Sequence, residues 1–591
     1  MQARTPLRRT RRDLIRAAAA TAAATALGMN QPRASAQPTQ PATAPSTAPL
    51  DAITTADVAA ADKLAGRDHV NDDDRKLMLD SLETYRKRLR KLRATPVDAS
   101  VDPAVRFDPR LPGFVPPAGA SKCIPSAGPE AEFDGNVEAL AFASVRELAP
   151  LLKAGRVTSV QLTRMCLDRL RRFGPRLLCV VNLTEDRAMA AARKADAEIA
   201  AGAYRGPLHG IPYGAKDLLF ARGAPTTYGV SVFKDQVPDF DATVIRRLES
   251  AGAVLLAKLS LGELAMGDVW YGGKTRTPWD ARDGSSGSSA GSCAAVAAGL
   301  LPFAIGSETL GSIISPCVVN GTTGLRPTWG RISRAGALPL TWTMDKLGPI
   351  ARDAEDCALV LSAIAGADEL DPTAADVPFA WDPRNTPISS LRIGFDPAAF
   401  DWQSDRWKDE SLRKIYQEAF DQVRGIAGEM KPVTLPPAER YNGLAGTIIA
   451  VESSSAFGDL LTSGRIRELV QQGEGSWPNT FRVGATVPAA DYLRALRLRT
   501  MLMREMRDAM KDVDVMVTVP YAGPTLAFTN LTGHPSLITR CGMHNGRPRM
   551  IELVGNLYRE DAICRVAMEY QRATDWRKHR PDVDALPESP P

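Results

Sequence analysis

Between about Val137 and Asp582 the chain changes its hydrophobic rhythm repeatedly, and each change predicts an element. In "SVQLTRMCLDRLRRF", Leu162, Cys166 and Leu170 recur at i, i+4 and i+8 behind the capping candidate Ser159, the spacing of one buried helix face. "DRAMAAARKADAEIAAG", Asp186 to Gly202, reads as a second helix. "AVLLAKL" (Ala253 to Leu259) and "VDVMVTV" (Val513 to Val519) are short unbroken apolar runs, as strands buried on both faces require. Such alternation predicts an α/β fold with a helix-covered, largely buried sheet. There is no internal repeat.

Upstream the pattern differs. Asp72 to Asp74 supply capping carboxylates, and Met78, Leu82, Tyr85, Leu89 and Leu92 follow at 4-3-4-3 spacing, predicting one long helix. Its other face carries the basic run "RKRLRK", read as solvated in preference to a partner or membrane surface. A Pro-rich connection, "FDPRLPGFVPPAG" from Phe107 to Gly119, closes a helical N-terminal extension over residues 51–119. Residues 37–50, "QPTQPATAPSTAPL", read as an extended linker.

Composition adds three constraints. With 44% apolar residues in 591 and aromatics at only 6%, the chain can fill one large α/β core or two moderate ones. "TRRDLIR" (Thr10 to Arg16), an Ala-rich run and "ASA" (Ala34 to Ala36) make residues 1–36 a twin-arginine signal peptide. This predicts export to the periplasm or outside, with the twin-arginine machinery as a partner during secretion. These 36 residues hold seven Arg and one Asp, a net +6; removing it from the whole-chain +5 leaves −1. No nucleic-acid partner is therefore expected. The eight Cys include no C-x-x-C, and the five His form no ligand cluster, so neither a metal nor another cofactor is expected.

Three segments carry candidate chemistry. In "PLHGIPYGAKDLL", Pro207 to Leu219, a single Lys216 sits in a Gly/Pro-built apolar setting; a desolvated lysine can be neutral and act as a base. "GSSGSSAGSCAAVAAG", Gly284 to Gly299, leads straight into a buried helix and strand, which argues against a flexible linker. It contains "GSSAG", a G-x-S-x-G with Ser289 at the nucleophile position of a Ser-His-Asp esterase. His534, His544 and His579 are available as partners, but the preceding "YGGKTRTPWDARDG" lacks the strand such an elbow needs. In "IGSETLGSIISP", Ile305 to Pro316, small residues let successive backbone N–H groups converge, as an oxyanion requires.

Together the segments resemble the amidase signature family. "GSSAGSCAAVAAG" from Gly287, "GSETLGSIISP" from Gly306 and the lysine segment match its three motifs, and flanking matches extend the likeness over about 440 of 591 residues. The resemblance implies an α/β fold with a mixed, twisted central β-sheet covered by helices on both faces. The domain would span 137–582, with a variable helical substrate region about 401–507. It implies Ser312 as nucleophile, Ser288 as the cis-serine relay after a cis Gly287–Ser288 peptide, and Lys216 as base. Backbone N–H groups of Thr309, Leu310, Gly311 and Ser312 would form the oxyanion hole, with Ser289 and Glu308 in support. Lys258 reads as structural.

The sequence departs from the family at four places. Ala290 and Glu308 are mild changes from Gly and Asp. Leu310 replaces a Gly and would be strained if the turn needed a positive φ there. Ile314 replaces an Arg, predicting weaker affinity for substrates with a carboxylate near the scissile bond. The leading expectation is an exported amidase acting on a small-molecule amide through an acyl-enzyme. The alternatives are an amidotransferase A-subunit-like protein, whose cytoplasmic work with tRNA the export signal opposes; the esterase; and a non-catalytic amidase-fold binding protein. The segments Asp368 to Pro387 and Asp401 to Arg507 are expected to supply substrate pockets. Met266, Trp270, Tyr271 and Trp342 are candidate pocket walls, with packing as the competing role for each.

Overall fold

A computed structural model describes residues 51–66, 70–93, 101, 105–127 and 131–589. The predicted signal peptide and linker lie outside these residues. Eleven strands form one central sheet: β1 (Val180–Leu183), β2 (Pro212–Lys216), β3 (Val254–Leu259), β4 (Phe303–Glu308), β5 (Thr323–Arg326), β6 (Lys346–Ala351), β7 (Ile393–Phe395), β8 (Lys431–Pro432), β9 (Val515–Thr518), β10 (Ser536–His544) and β11 (Arg547–Gly555). Their spatial order is β8-β7-β9-β11-β10-β5-β6-β4-β2-β3-β1. Parallel pairs (β3 with β2, β2 with β4) sit beside antiparallel ones (β4 with β6, β6 with β5, β5 with β10). The sheet is mixed, with helices on both faces. β3 and β9 are buried at every residue, as their unbroken apolar runs require.

Helix α3 spans Ser159–Leu177, and its N-cap is Thr158, not Ser159: the Thr158 hydroxyl accepts from Gln161 N–H and Gln161 closes a capping box. Upstream lie α1 (Thr55–Leu64) and α2 (Asp72–Arg93). Asn71, rather than the aspartates alone, caps α2 by accepting from Asp73 and Asp74 N–H. The Pro-rich connection then docks on the body. Phe107 meets Trp329 edge-on at 4.9 Å between ring centroids, and Phe114 lies 5.7 Å from Tyr558.

Two short buried helices complete the site's frame: α5 (Ala290–Ala297), following α4 (Glu185–Ala200), and α6 (Ile314–Asn320). Small side chains let α5 press against the sheet; a Cβ on Gly291 would lie 2.5 Å from the Cys179 carbonyl oxygen. All eight cysteines are free thiols, and all but Cys123 are buried. Cys293 on α5 and Cys317 on α6 bring their sulfurs to 3.5 Å. Among the described residues, no helix is long and apolar enough to cross a membrane.

Candidate active site

Lys216 is the last residue of β2, and the parallel neighbour β4 ends just beyond it at Glu308. Lys216 is 0% exposed. Its Nζ lies 2.7 Å from Ser288 Oγ, 2.9 Å from Ser307 Oγ, 3.2 Å from Ser289 Oγ and 3.3 Å from the Ser307 carbonyl. Burial pushes its pKa down to about 7, opposed by the carboxylate of Asp345, because a low-dielectric setting disfavours the ammonium. The nearby Lys258 differs: its Nζ is 2.7 Å from Asp217 Oδ1 and 2.7 Å from Thr226 Oγ1, a buried structural pair.

The serine loop brings Ser288 and Ser289 to Lys216. The Gly287–Ser288 peptide is cis, as the resemblance implied. Gly287 has no room for a side chain, since a Cβ would fall 1.8 Å from the Gly267 carbonyl oxygen. Ser289 Oγ donates to the Ser307 carbonyl at 3.1 Å and accepts from Ser307 N–H at 3.2 Å, so its hydroxyl is tied to the strand. Ser289 N–H donates to the Ser312 carbonyl at 3.1 Å and fixes the two serine segments side by side. Ser312 is 8% exposed, and its hydroxyl makes no hydrogen bond among the described residues. The Lys216–Ser288 link is formed; a Ser288–Ser312 hydroxyl bond is not.

The esterase arrangement does not assemble. His534 Nδ1 contacts Thr532 Oγ1 at 2.7 Å, and burial lowers its pKa to about 4. His544 pairs with Asp409 at 3.1 Å, and His579 packs 5.0 Å from Trp576. A strand does precede the serines, Asp280–Gly284, contrary to expectation; it pairs only with Arg276–Thr277 in a hairpin outside the central sheet.

The turn after β4 is held at both ends by carboxylates. Glu308 is fully buried. Its Oε2 accepts from Ile313 and Ile314 N–H at 2.8 and 2.9 Å, and its Oε1 accepts from Arg326 and Asn530, each at 2.8 Å. Burial opposes the charge, but Arg326 and Lys346 outweigh it and hold the pKa at about 2. At the other end Thr309 Oγ1 donates to Asp345 Oδ1 at 2.6 Å. Between them the N–H groups of Thr309, Leu310, Gly311 and Ser312 have no acceptor among the described residues, which suits an incoming oxyanion.

One expectation needs correction, that of strain at Leu310. The positive φ of the turn falls on Gly311, at 90°, and not on Leu310, so leucine is tolerated there. Ile314 is buried in the hydrophobic core at the first turn of α6, so an Arg introduced there would bring a charge into apolar packing. Sequence reasoning missed Ser307 and Asp345. Ser307 sits inside the recognised motif and could have been found from its place at the end of β4. Asp345 lies in "TMDKLGP", 38 residues beyond Ser307 in the sequence, and only the β4–β6 pairing brings it back.

A small cleft opens beside Ser307 and Thr309, walled by Leu218, Leu338, Leu340 and Trp342. Leu370 and Asp371 reach it from the segment Asp368 to Pro387. Of the four aromatic and Met candidates only Trp342 lines it; Trp270 is buried edge-on against Tyr271 at 4.9 Å. A larger cavity of about 580 Å³ opens at the opposite ends of the strands, near Thr323 and Arg352. Its Arg352 and Arg540 direct their guanidinium N–H groups at main-chain carbonyls. Among the described residues, no group of His, Cys, Asp and Glu could hold a metal ion.

This fold, with a buried Lys–Ser pair beside a turn of open N–H groups, defines an amide-cleaving hydrolase of the amidase signature class. The Amidase family model matches residues 161–561, and the chain belongs to that family. The native peptide amidase of Stenotrophomonas maltophilia is 30% identical with a TM-score of 0.68, covering 76% of this chain and all of that one. The A subunit of the glutamyl-tRNA(Gln) amidotransferase of Halorhodospira halophila is 34% identical over 74% of this chain and 99% of its own length. Its counterpart in Moorella thermoacetica is 32% identical over 75% and 99%. A bacterial aryl acylamidase shares the fold at 20% identity and a TM-score of 0.64.

Proposed function

We propose that the protein hydrolyses a carboxylic acid amide through an acyl-enzyme on Ser312. The observation that carries this reading is the 2.7 Å contact between buried Lys216 and Ser288, beside a turn whose N–H groups are open. Neutral Lys216 takes the Ser288 proton as Ser288 takes that of Ser312, and Ser312 Oγ attacks the amide carbon. The N–H groups of Thr309 to Ser312 stabilise the tetrahedral oxyanion, worth about 3 kcal/mol per donor. The relay returns the proton to the departing amine, and water then cleaves the ester by the same route. The products are one acid and one amine, with one water consumed.

A second reading has its own support: the curated relatives above are the A subunits of amidotransferases, which favours a chain that releases ammonia from an amide for a partner. Both readings share the Ser312 acyl-enzyme. A fluorophosphonate labels Ser312 in intact-mass analysis if the shared chemistry holds, and absence of label on folded protein refutes it. Turnover of peptide, alkyl or aryl amides by the isolated chain supports the hydrolase; glutamine cleavage only after addition of other subunits supports the amidotransferase. Export by the twin-arginine route belongs with the hydrolase reading. Replacing Arg11 and Arg12 by Lys should leave the protein in the cytoplasm; unchanged export would refute it.

A further inference from the structure

Thr343 is two residues from Asp345, whose carboxylate holds Thr309 at the start of the oxyanion turn, and one residue from the cleft wall Trp342. Asp345 is fixed by its own loop. Its Oδ2 accepts from Leu340 and Thr341 N–H at 2.7 and 3.0 Å, its Oδ1 from the Thr341 hydroxyl at 3.0 Å, and its N–H donates back to the Thr341 carbonyl at 3.2 Å. The loop 340–345 is therefore a compact unit, and what places that unit also places the cleft wall and one end of the turn.

Thr343 ties this unit to the helical region. Its N–H and hydroxyl donate to Glu452 at 3.0 and 2.7 Å, from helix α8 (Leu444–Ala456), which follows α7 (Ala354–Ile364) in the chain. Its hydroxyl and carbonyl accept from Arg499 Nη1 and Nη2, both at 2.9 Å, from α9 (Ala489–Met510). Tyr492 on α9 donates to the same Glu452 oxygen at 2.9 Å. Thr343, Glu452 and Arg499 are all almost fully buried. Arg499 Nε donates to the Leu531 carbonyl, and its guanidinium lies 3.4 Å over the ring of Phe107. Phe107 is in turn wedged against Trp329. A continuous set of contacts thus runs from the N-terminal extension through Arg499 and Thr343 to the loop that holds Thr309.

We propose that Thr343, clamped between Glu452 and Arg499 and closed by Phe107, is a positioning residue that sets the oxyanion turn and the Trp342 wall for catalysis. This rests on the acyl-enzyme reading above. It gives the helical region and the N-terminal extension a part in the reaction without contact to substrate. The physical basis is that an oxyanion donor must be in place before charge develops, so small displacements of the turn weaken transition-state binding more than ground-state binding.

The test uses full-length protein and the rate of Ser312 labelling by a fluorophosphonate, followed by kcat and KM on any amide it turns over. Thr343→Val keeps the side-chain shape and removes both hydroxyl bonds. It should slow labelling and kcat about 10-fold with KM within about 3-fold, and leave the pH midpoint near that of the parent, since Lys216 is untouched. Thr343→Ser retains the hydroxyl and should restore at least half the parent rate. Phe107→Leu, at the half-buried outer end, should slow labelling about 3-fold; it decides the matter if Thr343→Val does not fold. Parent-like labelling in a folded Thr343→Val, or in Phe107→Leu where that is the variant read, overturns the proposal. Failure of the parent itself to label at Ser312 instead refutes the acyl-enzyme reading, which separates the two outcomes.

Discussion

Lys216 can accept a proton only above the pH at which it gives up its own, and burial places that near 7. Below it the ammonium dominates and acylation needs the rarer neutral form. The labelling rate of Ser312 should therefore rise about tenfold per pH unit up to roughly 7 and level off above it. A profile flat from pH 5 to 8 would exclude Lys216 as the base. The two adjacent serines should also separate. Ser288→Ala removes the proposed relay and should cost at least about 100-fold in rate. Ser289→Ala removes the two hydrogen bonds to Ser307 and the contact with Lys216 but no step of the proposed proton path, and should cost about tenfold, well short of the loss at Ser288. Equal losses would mean that the relay is misassigned. At this scale the contacting pair Lys216 and Ser288, with Ser312 beside them, were legible as neighbours, because each lies in a short motif. Ser307 and Asp345 were not: the first looked like filler inside a motif, and the second comes near only through strand pairing.

Among elements, the turn between β4 and α6 is the one whose shape matters most. Glu308 supplies both a buried ion pair with Arg326 and the acceptor for the N–H groups of Ile313 and Ile314 at the start of α6. Glu308→Gln leaves Arg326 without its countercharge, a loss of about 3–5 kcal/mol in urea unfolding. The sign follows from its lowered pKa. The carboxylate's contribution is complete above its ordinary value of 4.5 and is lost as pH falls toward about 2. Parent and variant should therefore converge in stability across that interval, and a constant gap there would contradict the assignment. Gly311→Ala should damage the turn as well, since φ is 90° and a Cβ would meet Ser315 Oγ at 2.8 Å. The family pattern misled at Leu310 because it fixes which residues are usual, not which of two neighbours carries the positive φ. Caps were misplaced by one residue at Ser159 and Asp72 for a related reason: Thr158 and Asn71 sit just outside the hydrophobic repeat that marks each helix.

For the whole molecule, alternating apolar runs announced the layered α/β plan, but not the order of strands. That order depends on long-range pairing, such as β5 between β6 and β10, for which a local pattern carries no signal. The docking of the Pro-rich connection was likewise unreadable, since Phe107 and Phe114 find their aromatic partners more than 200 residues away. Phe114→Ala should lower unfolding free energy by about 1–2 kcal/mol, as expected for a half-buried ring, with labelling at Ser312 unchanged. A larger loss of labelling than of stability would show that this end of the connection also reaches the site.

The distribution of thiols has a consequence for measurement in solution. Seven of the eight cysteines are enclosed and only Cys123 is partly accessible, so a maleimide should add once to the native chain and eight times in denaturant. The slow step of the seven later additions is opening of the protein itself. Mass spectra taken over hours would then time global opening directly, with no fluorophore or substrate. Because α5 and α6 each carry one of these sulfurs, early modification of Cys293 and Cys317 would reveal whether the frame of the candidate site loosens before the rest of the fold.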